Sequence, residues 1–216
     1  IMKNIKILKD YLTNNSLNNY SGNISGLRIF HIGILLLASA PSISFLLLII
    51  SSIIGSIKRK DNYFKDKYNF PFLLATLLMV INCILITIRA DFIYNQSPSL
   101  AWIGLLNWIP FFWCFWSFQI YLKNEILRIQ AAKYFLIGSL PVLFSGFTQY
   151  FLAWYGPYEI FNKLIIWYQR PLSEGAGVTG LFNNYNYCGA WLSIVLALII
   201  GLFFKEAHHK SLKSIS

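Results

Sequence analysis

Apolar residues run almost unbroken along four stretches of the chain: Phe70–Arg89, Leu100–Leu122, Tyr134–Trp154 and Tyr185–Phe204. Each reaches the roughly 20 helical residues needed to cross a hydrocarbon core. The runs are continuous rather than alternating, which predicts helices instead of barrel strands, the two ways a chain satisfies its backbone in lipid. A fifth apolar stretch, Ile29–Ile57, admits two readings. As one helix it would be about 43 Å long and strongly tilted. Ala40-Pro41-Ser42 lies at its middle, where proline disfavours a continuous helix. Folded back at Pro41, the stretch supplies two shorter segments, and this is the preferred reading. The expected fold is therefore all-α: a polytopic transmembrane helix bundle of about six membrane segments over residues 27–204. A basic polar tail (1–26) precedes it and a second basic tail (205–216) follows. Residues 3–12 read equally as a short interfacial helix or a plain basic tail, and Thr13–Ser25 as a linker.

Charge orients the segments. Lys58, Arg59, Lys60, Lys65 and Lys67 fill one connection, Lys123, Arg128 and Lys133 another, and Lys205, Lys210 and Lys213 follow the last run. The alternate connections are poor in cations: Ala90–Ser99 has none, and Tyr155–Asn184 has only Lys163 and Arg170. The positive-inside rule puts the basic loops in the cytoplasm; a single crossing by Ile29–Ile57 would leave the basic N-terminal tail outside, whereas the preferred fold-back at Pro41 puts both termini in the cytoplasm. Composition agrees with a lipid solvent. Of 216 residues 56% are hydrophobic and only 12% charged, against about 25% charged in a soluble domain. The net charge of +10 is spread through short loops between apolar runs, so the expected anionic partner is a membrane face and not nucleic acid. The three cysteines, Cys83, Cys114 and Cys188, lie in or beside apolar runs and show no metal or haem spacing.

The long outer connection holds the candidate chemistry. Ile160, Leu164 and Trp167 recur at helical spacing between Pro157 and Pro171, which predicts a helix in the interface plane that delivers Gln169 and Arg170 to headgroup depth. A flexible polar run including Glu174 follows, then Asn183 and Asn184, with Asn186 placed to cap the last span. Gly175–Gly180 reads GAGVTG, a literal dinucleotide fingerprint. That fingerprint needs a preceding strand and an acidic residue about 20 positions on. No acid lies between Glu174 and Glu206, so the match is dismissed. A phosphate reading of another kind survives. Arginine offers a planar, permanently charged fork for two phosphate oxygens, and glycine-rich backbone can turn N–H groups toward the same anion. Arg170 then either snorkels to lipid headgroups or holds a lipid-linked diphosphate.

The stretch QRPLSEGAGVTGLFNNYNYCGAWL, together with NWIPFFWCFWSFQIYL (Asn107–Leu122) and SGFTQYFLAWYGPYE (Ser145–Glu159), resembles the O-antigen ligase/O-antigen polymerase family of multi-pass membrane proteins. The resemblance covers most of the chain from about Leu27 to Phe204. It implies a GT-C-like, metal-independent glycosyltransferase that needs no cofactor. Such an enzyme moves a glycan from an undecaprenyl-diphosphate carrier to an acceptor on the outer face of the bacterial inner membrane. It implies Arg170 as the catalytic arginine on the diphosphate. Asn184 and Asn186 would take the family's asparagine positions, with Gln169, Glu174, Asn183 and Arg89 as further substrate-binding candidates. Membrane lipids, a C-terminal half or a homo-oligomer are the implied partners.

The family's implicated base is a histidine in a later outer loop. His31 lies in the first apolar segment and His208 and His209 in the basic tail, so none is placed for that role, and the chain reads as the N-terminal half only. Two alternatives stay open: an anion (bicarbonate) transport-related protein of the same superfamily, and a non-catalytic subunit that needs a separate half.

Overall fold

The computed structural model describes residues 24–59, 61–93, 99–172 and 177–215, with the side chains of 89–93 and 206–215 outside the description. The expectations for the N-terminal tail and for Glu174 fall outside the described residues. Chain order is α1 (Ile24–Leu36), α2 (Pro41–Lys58), two 3-10 turns (Tyr63–Lys65 and Lys67–Asn69), α3 (Phe70–Ile93) and α4 (Ser99–Phe118). A third 3-10 turn (Gln119–Leu122) leads to α5 (Glu125–Gly138), α6 (Leu140–Phe151), strands β1 (Tyr158–Ile160) and β2 (Ile165–Trp167), and α7 (Tyr185–Ile215).

Among the described residues, five helical segments are long and apolar enough to cross a membrane: Pro41–Lys58, Lys67–Ile88, Ser99–Leu122, Glu125–Phe151 and Tyr185–Lys205. Large apolar side chains such as Leu46, Ile88, Phe144 and Phe203 are exposed along them, as lipid-facing helices require. α1 is apolar but has 13 residues, about 20 Å of helix, which is short for a hydrocarbon core. α7 continues past the apolar run to Ile215.

The described chain divides into two compact units. In Ser51–Tyr121, α3 lies along α4. Phe72 stacks on Phe112 and Phe115 at 5.2 and 5.8 Å. The Cys83 thiol donates to the Ala101 carbonyl. The end of α2 joins the same unit, with Tyr121 Oη donating to the Ser51 carbonyl at 2.7 Å.

The other unit comprises the described residues up to Ile50 and from Leu122 onward. The helix breaks where proline demands it: α1 stops at Leu36 and Pro41 opens α2, its missing N–H falling where no partner would exist. Ser44 Oγ donates to the Gly33 carbonyl at 2.7 Å. Eleven residues of one straight helix would separate these positions by about 16 Å, so the chain folds back. α1 packs on α5 and α5 on α7. Where α5 ends, Gly138 meets α1 backbone to backbone, and a Cβ there would collide with the Leu35 carbonyl. His31 is buried and stacks on Tyr134 with centroids 4.5 Å apart.

Two features depart from expectation. The run Tyr134–Trp154 is not one helix, because α5 ends at Gly138 and α6 starts at Leu140. Pro141 sits in the first turn of α6, where it cannot donate back along α5. The buried Ser139 between them accepts from Trp191 Nε1 at 2.9 Å. Secondly, the interfacial helix expected between Pro157 and Pro171 is an antiparallel β-hairpin, in register Tyr158↔Trp167, Glu159↔Ile166 and Ile160↔Ile165, so the fold is helical with one small hairpin. Phe161, Asn162 and Lys163 turn its tip in the left-handed region. A helix of this length is marginal alone. The hairpin is held at its root instead, by Gly156 N–H donating to the Gln169 carbonyl at 2.9 Å and Trp167 Nε1 donating to the Ser39 carbonyl at 2.7 Å.

Candidate functional site

The site is built where α6 meets the hairpin and the chain entering α7. Val142, Ser145 and Gln149 recur along α6 at helical spacing, with Thr148 beside them, and all four are buried. Val142 packs with Ala38, Leu181 and Cys188, and Trp167, Phe182, Trp191 and Leu192 close over this small core. The three polar side chains work on the loop.

Gln149 is fully buried. Its Oε1 accepts from the backbone N–H of Thr179 and of Gly180, each at 3.0 Å. Its Nε2 donates to the Arg170 carbonyl at 2.5 Å and to Thr179 Oγ1 at 3.1 Å. A glutamine amide has two donors and two acceptor lone pairs, so all four are satisfied. The amide stands in for a peptide unit between two extended segments. The segments also bond directly: Tyr168 N–H donates to the Leu181 carbonyl at 3.2 Å and Gln169 N–H to the Gly180 carbonyl at 3.1 Å. Gly180 has φ +55° with Val142 and Cys188 close by, a place where a side chain would be strained.

Gln169 is also buried, and its φ of +36° is unusual for a residue with a side chain. Its amide accounts for that geometry. Nε2 donates to Thr148 Oγ1 at 2.9 Å and to the Trp154 carbonyl at 2.8 Å, while Oε1 accepts from Ser145 Oγ at 3.0 Å. Gln169 is therefore a strut that braces the loop against α6, not an exposed ligand-binding group; burial removes it from the substrate-contact role expected of it.

Arg170 comes next, and its backbone is clamped on both sides. The carbonyl accepts from Gln149, and the N–H donates to Thr179 Oγ1 at 3.1 Å. Pro171 follows and restricts the preceding backbone further. The Arg170 side chain is exposed. Of the two cations in this loop, Lys163 pairs with Glu159 at 3.7 Å. The Arg170 guanidinium has no hydrogen bond or ion pair among the described residues. A fixed backbone carrying a fork without a partner among the described residues is an arrangement able to receive an anion.

Asn183 and Asn186 are exposed and Asn184 is half-buried, all at the start of α7. Asn184, not Asn186, caps that helix: its Oδ1 accepts from the Asn186 N–H at 2.7 Å, and its carbonyl accepts from the Cys188 N–H at 3.3 Å. The N-cap position requires extended backbone just outside the helix, and Asn186 already lies inside α7. Arg89 is on α3, with its side chain outside the described residues. The structure thus joins Gln169 and Arg170 to the segment that leads into Asn183 and Asn184. Ser145, Thr148, Gln149 and Thr179 are additions to the expected residues. For Ser145, Thr148 and Gln149 the signal was polar side chains at three- and four-residue spacing in an otherwise apolar run; Thr179, in the glycine-rich loop, carried none. Among the described residues no group of three His, Cys, Asp or Glu side chains converges as a metal site.

Compared with known proteins, the chain matches no family model, no curated protein and no solved structure.

Proposed function

We propose that this chain is a membrane glycosyltransferase, or part of one, of the O-antigen ligase/polymerase kind. In this reading it moves a glycan from an undecaprenyl-diphosphate carrier to an acceptor at the outer face of the bacterial inner membrane. The fold is GT-C-like, with α1 and α2 as a paired entry, six segments in all, and both termini cytoplasmic. The observation that carries the reading is Arg170: an exposed guanidinium, without a partner among the described residues, on a backbone held by Gln149 and Thr179.

The chemistry follows from charge. As the glycosidic bond breaks, negative charge grows on the departing diphosphate. A cation already in place binds that charge more tightly in the transition state than in the ground state, and only such differential binding speeds the reaction. Holding the Arg170 backbone rigid lowers the reorganisation needed at that moment. Asn183 and Asn186, both exposed, add polar groups for sugar or phosphate. The base that activates the acceptor lies elsewhere, because His31 is buried against Tyr134.

The test is transfer of a lipid-linked oligosaccharide in membranes containing the intact chain, Arg170→Ala or Arg170→Lys, with and without an added C-terminal half. Transfer that both substitutions abolish supports the reading. Anion flux without transfer would replace it with the transport-related one.

A further inference from the structure

We infer that the turn between α2 and α3 is a contact surface for anionic lipid. Lys65 and Lys67 take headgroup phosphates, and Phe64, Tyr68 and Phe70 enter the acyl boundary. This inference is independent of the glycosyltransferase reading.

The turn is ordered by its own short side chains. Asn62 Oδ1 accepts from the Phe64 N–H and Asp66 Oδ1 from the Tyr68 N–H, each at 3.0 Å, so two 3-10 turns follow one another. Asn69 Nδ2 donates to the Tyr63 carbonyl at 2.9 Å and closes the pair. A turn fixed this way has little freedom to bury its rings. Phe64, Tyr68 and Phe70 remain 74%, 68% and 66% exposed.

The charges sort into two sets. Arg59 is used internally: Nη1 donates to the Trp116 carbonyl at 2.6 Å and to Gln119 Oε1 at 2.9 Å, and its guanidinium lies 4.5 Å from the Trp116 ring centroid. Its Nη2 also faces Asp61 and Asp66, each at 3.4 Å. Arg59 thereby draws both aspartates of the turn to itself. Lys65 and Lys67 stay exposed. Lys67 Nζ lies 5.1 Å from the Tyr68 ring centroid, so one amine and one ring project together.

Exposed rings interleaved with lysines suit a surface that is apolar below and anionic above. Segments long and apolar enough to cross a membrane, Pro41–Lys58 and Lys67–Ile88, meet at the turn, and a connection between two such spans belongs at headgroup depth. An acidic protein partner would satisfy the lysines but would not explain three outward rings at the ends of membrane-length helices.

The experiment uses the full chain with Cys83, Cys114 and Cys188 changed to alanine and a nitroxide on Phe64→Cys. The chain is reconstituted in vesicles of phosphatidylcholine alone or mixed with phosphatidylglycerol. Power-saturation spectroscopy should show the label colliding with oxygen in preference to aqueous nickel chelate, more so with phosphatidylglycerol and less at high salt. The contrast between lipids should disappear in Lys65→Gln/Lys67→Gln. In parallel, native mass spectrometry on the chain with its natural cysteines should show phosphatidylglycerol retention falling roughly fivefold per lysine removed. A label equally open to nickel chelate in both vesicles, or immobile regardless of lipid, overturns the inference, as does unchanged retention in the double variant.

Discussion

Gln149 and Arg170 are joined side chain to backbone: the buried amide of one donates to the carbonyl of the other at 2.5 Å. One glutamine on α6 thus holds in place the residue that carries the loop's exposed guanidinium. Replacing it strands several groups at once. In Gln149→Leu the N–H groups of Thr179 and Gly180 and the Arg170 carbonyl lose their partner. A buried group left unsatisfied costs roughly 1–3 kcal/mol. We expect a loss of about 3 kcal/mol or more, read as a lower unfolding temperature and faster proteolysis between Pro157 and Pro171. Gln149→Glu should fare little better, because a carboxylate accepts from the two N–H groups but cannot donate to Arg170 or Thr179.

Arg170 itself should behave in the opposite way. Its structural bonds come from the main chain and its side chain is exposed. Arg170→Ala should therefore leave thermal stability within about 0.5 kcal/mol. Transfer from the lipid-linked donor should nevertheless fall about 100- to 1000-fold, the usual effect of losing one preorganised electrostatic contact. Arg170→Lys should recover little, since a point charge lacks the two-pronged geometry. Parallel melting curves and transfer rates check both halves.

Gly138→Val tests the contact between α1 and α5. Backbone at Leu35 occupies the space a side chain would need, and overpacking of this kind costs about 1–3 kcal/mol. Gly104→Ala is the control, with nothing within 4 Å of the added carbon; it should be neutral or slightly stabilising. Unfolding in detergent, followed by tryptophan fluorescence, would show whether the two differ.

The two aspartates facing Arg59 should differ although their distances are equal. The Asp61 side chain is 74% exposed and that of Asp66 13%, and Asp66 also accepts from the Tyr68 N–H. Exposed pairs contribute about 0–1 kcal/mol. Asp61→Ala should thus be near neutral, whereas Asp66→Ala loses a cap and a shielded partner and should cost about 1–3 kcal/mol. Denaturation midpoints of the two variants give the comparison.

How much was legible beforehand depended on whether the cause was local. α3 and α7 begin at Phe70 and Tyr185 as the apolar runs predict, because length and hydropathy decide a lipid-facing helix. The break at Pro41 was equally readable, since proline carries its own signal. Pro141 carries the same signal, but it stands inside a run apolar enough to read as one span. The hairpin was hidden for a different reason. Ile160, Leu164 and Trp167 fit a helical stripe, and what decides against it is distant: Ser39 on the Trp167 indole and Gly180 on the Gln169 N–H. Arg170 stood out because a permanent charge beside an apolar run is conspicuous. Gln149 did not, because its spacing with Ser145 marks a polar face within SGFTQYF but not what that face holds.

Both glutamine amides at this site have every donor already engaged within the protein. A mount with every amide donor engaged has none to release to a newcomer. In the proposed reading an arriving anion meets backbone that is already braced, and only the exposed Arg170 side chain has to settle on it, with no refolding beneath. On that reading, bulky or varied cargo would be tolerated, since the braced part keeps its shape while admitting it.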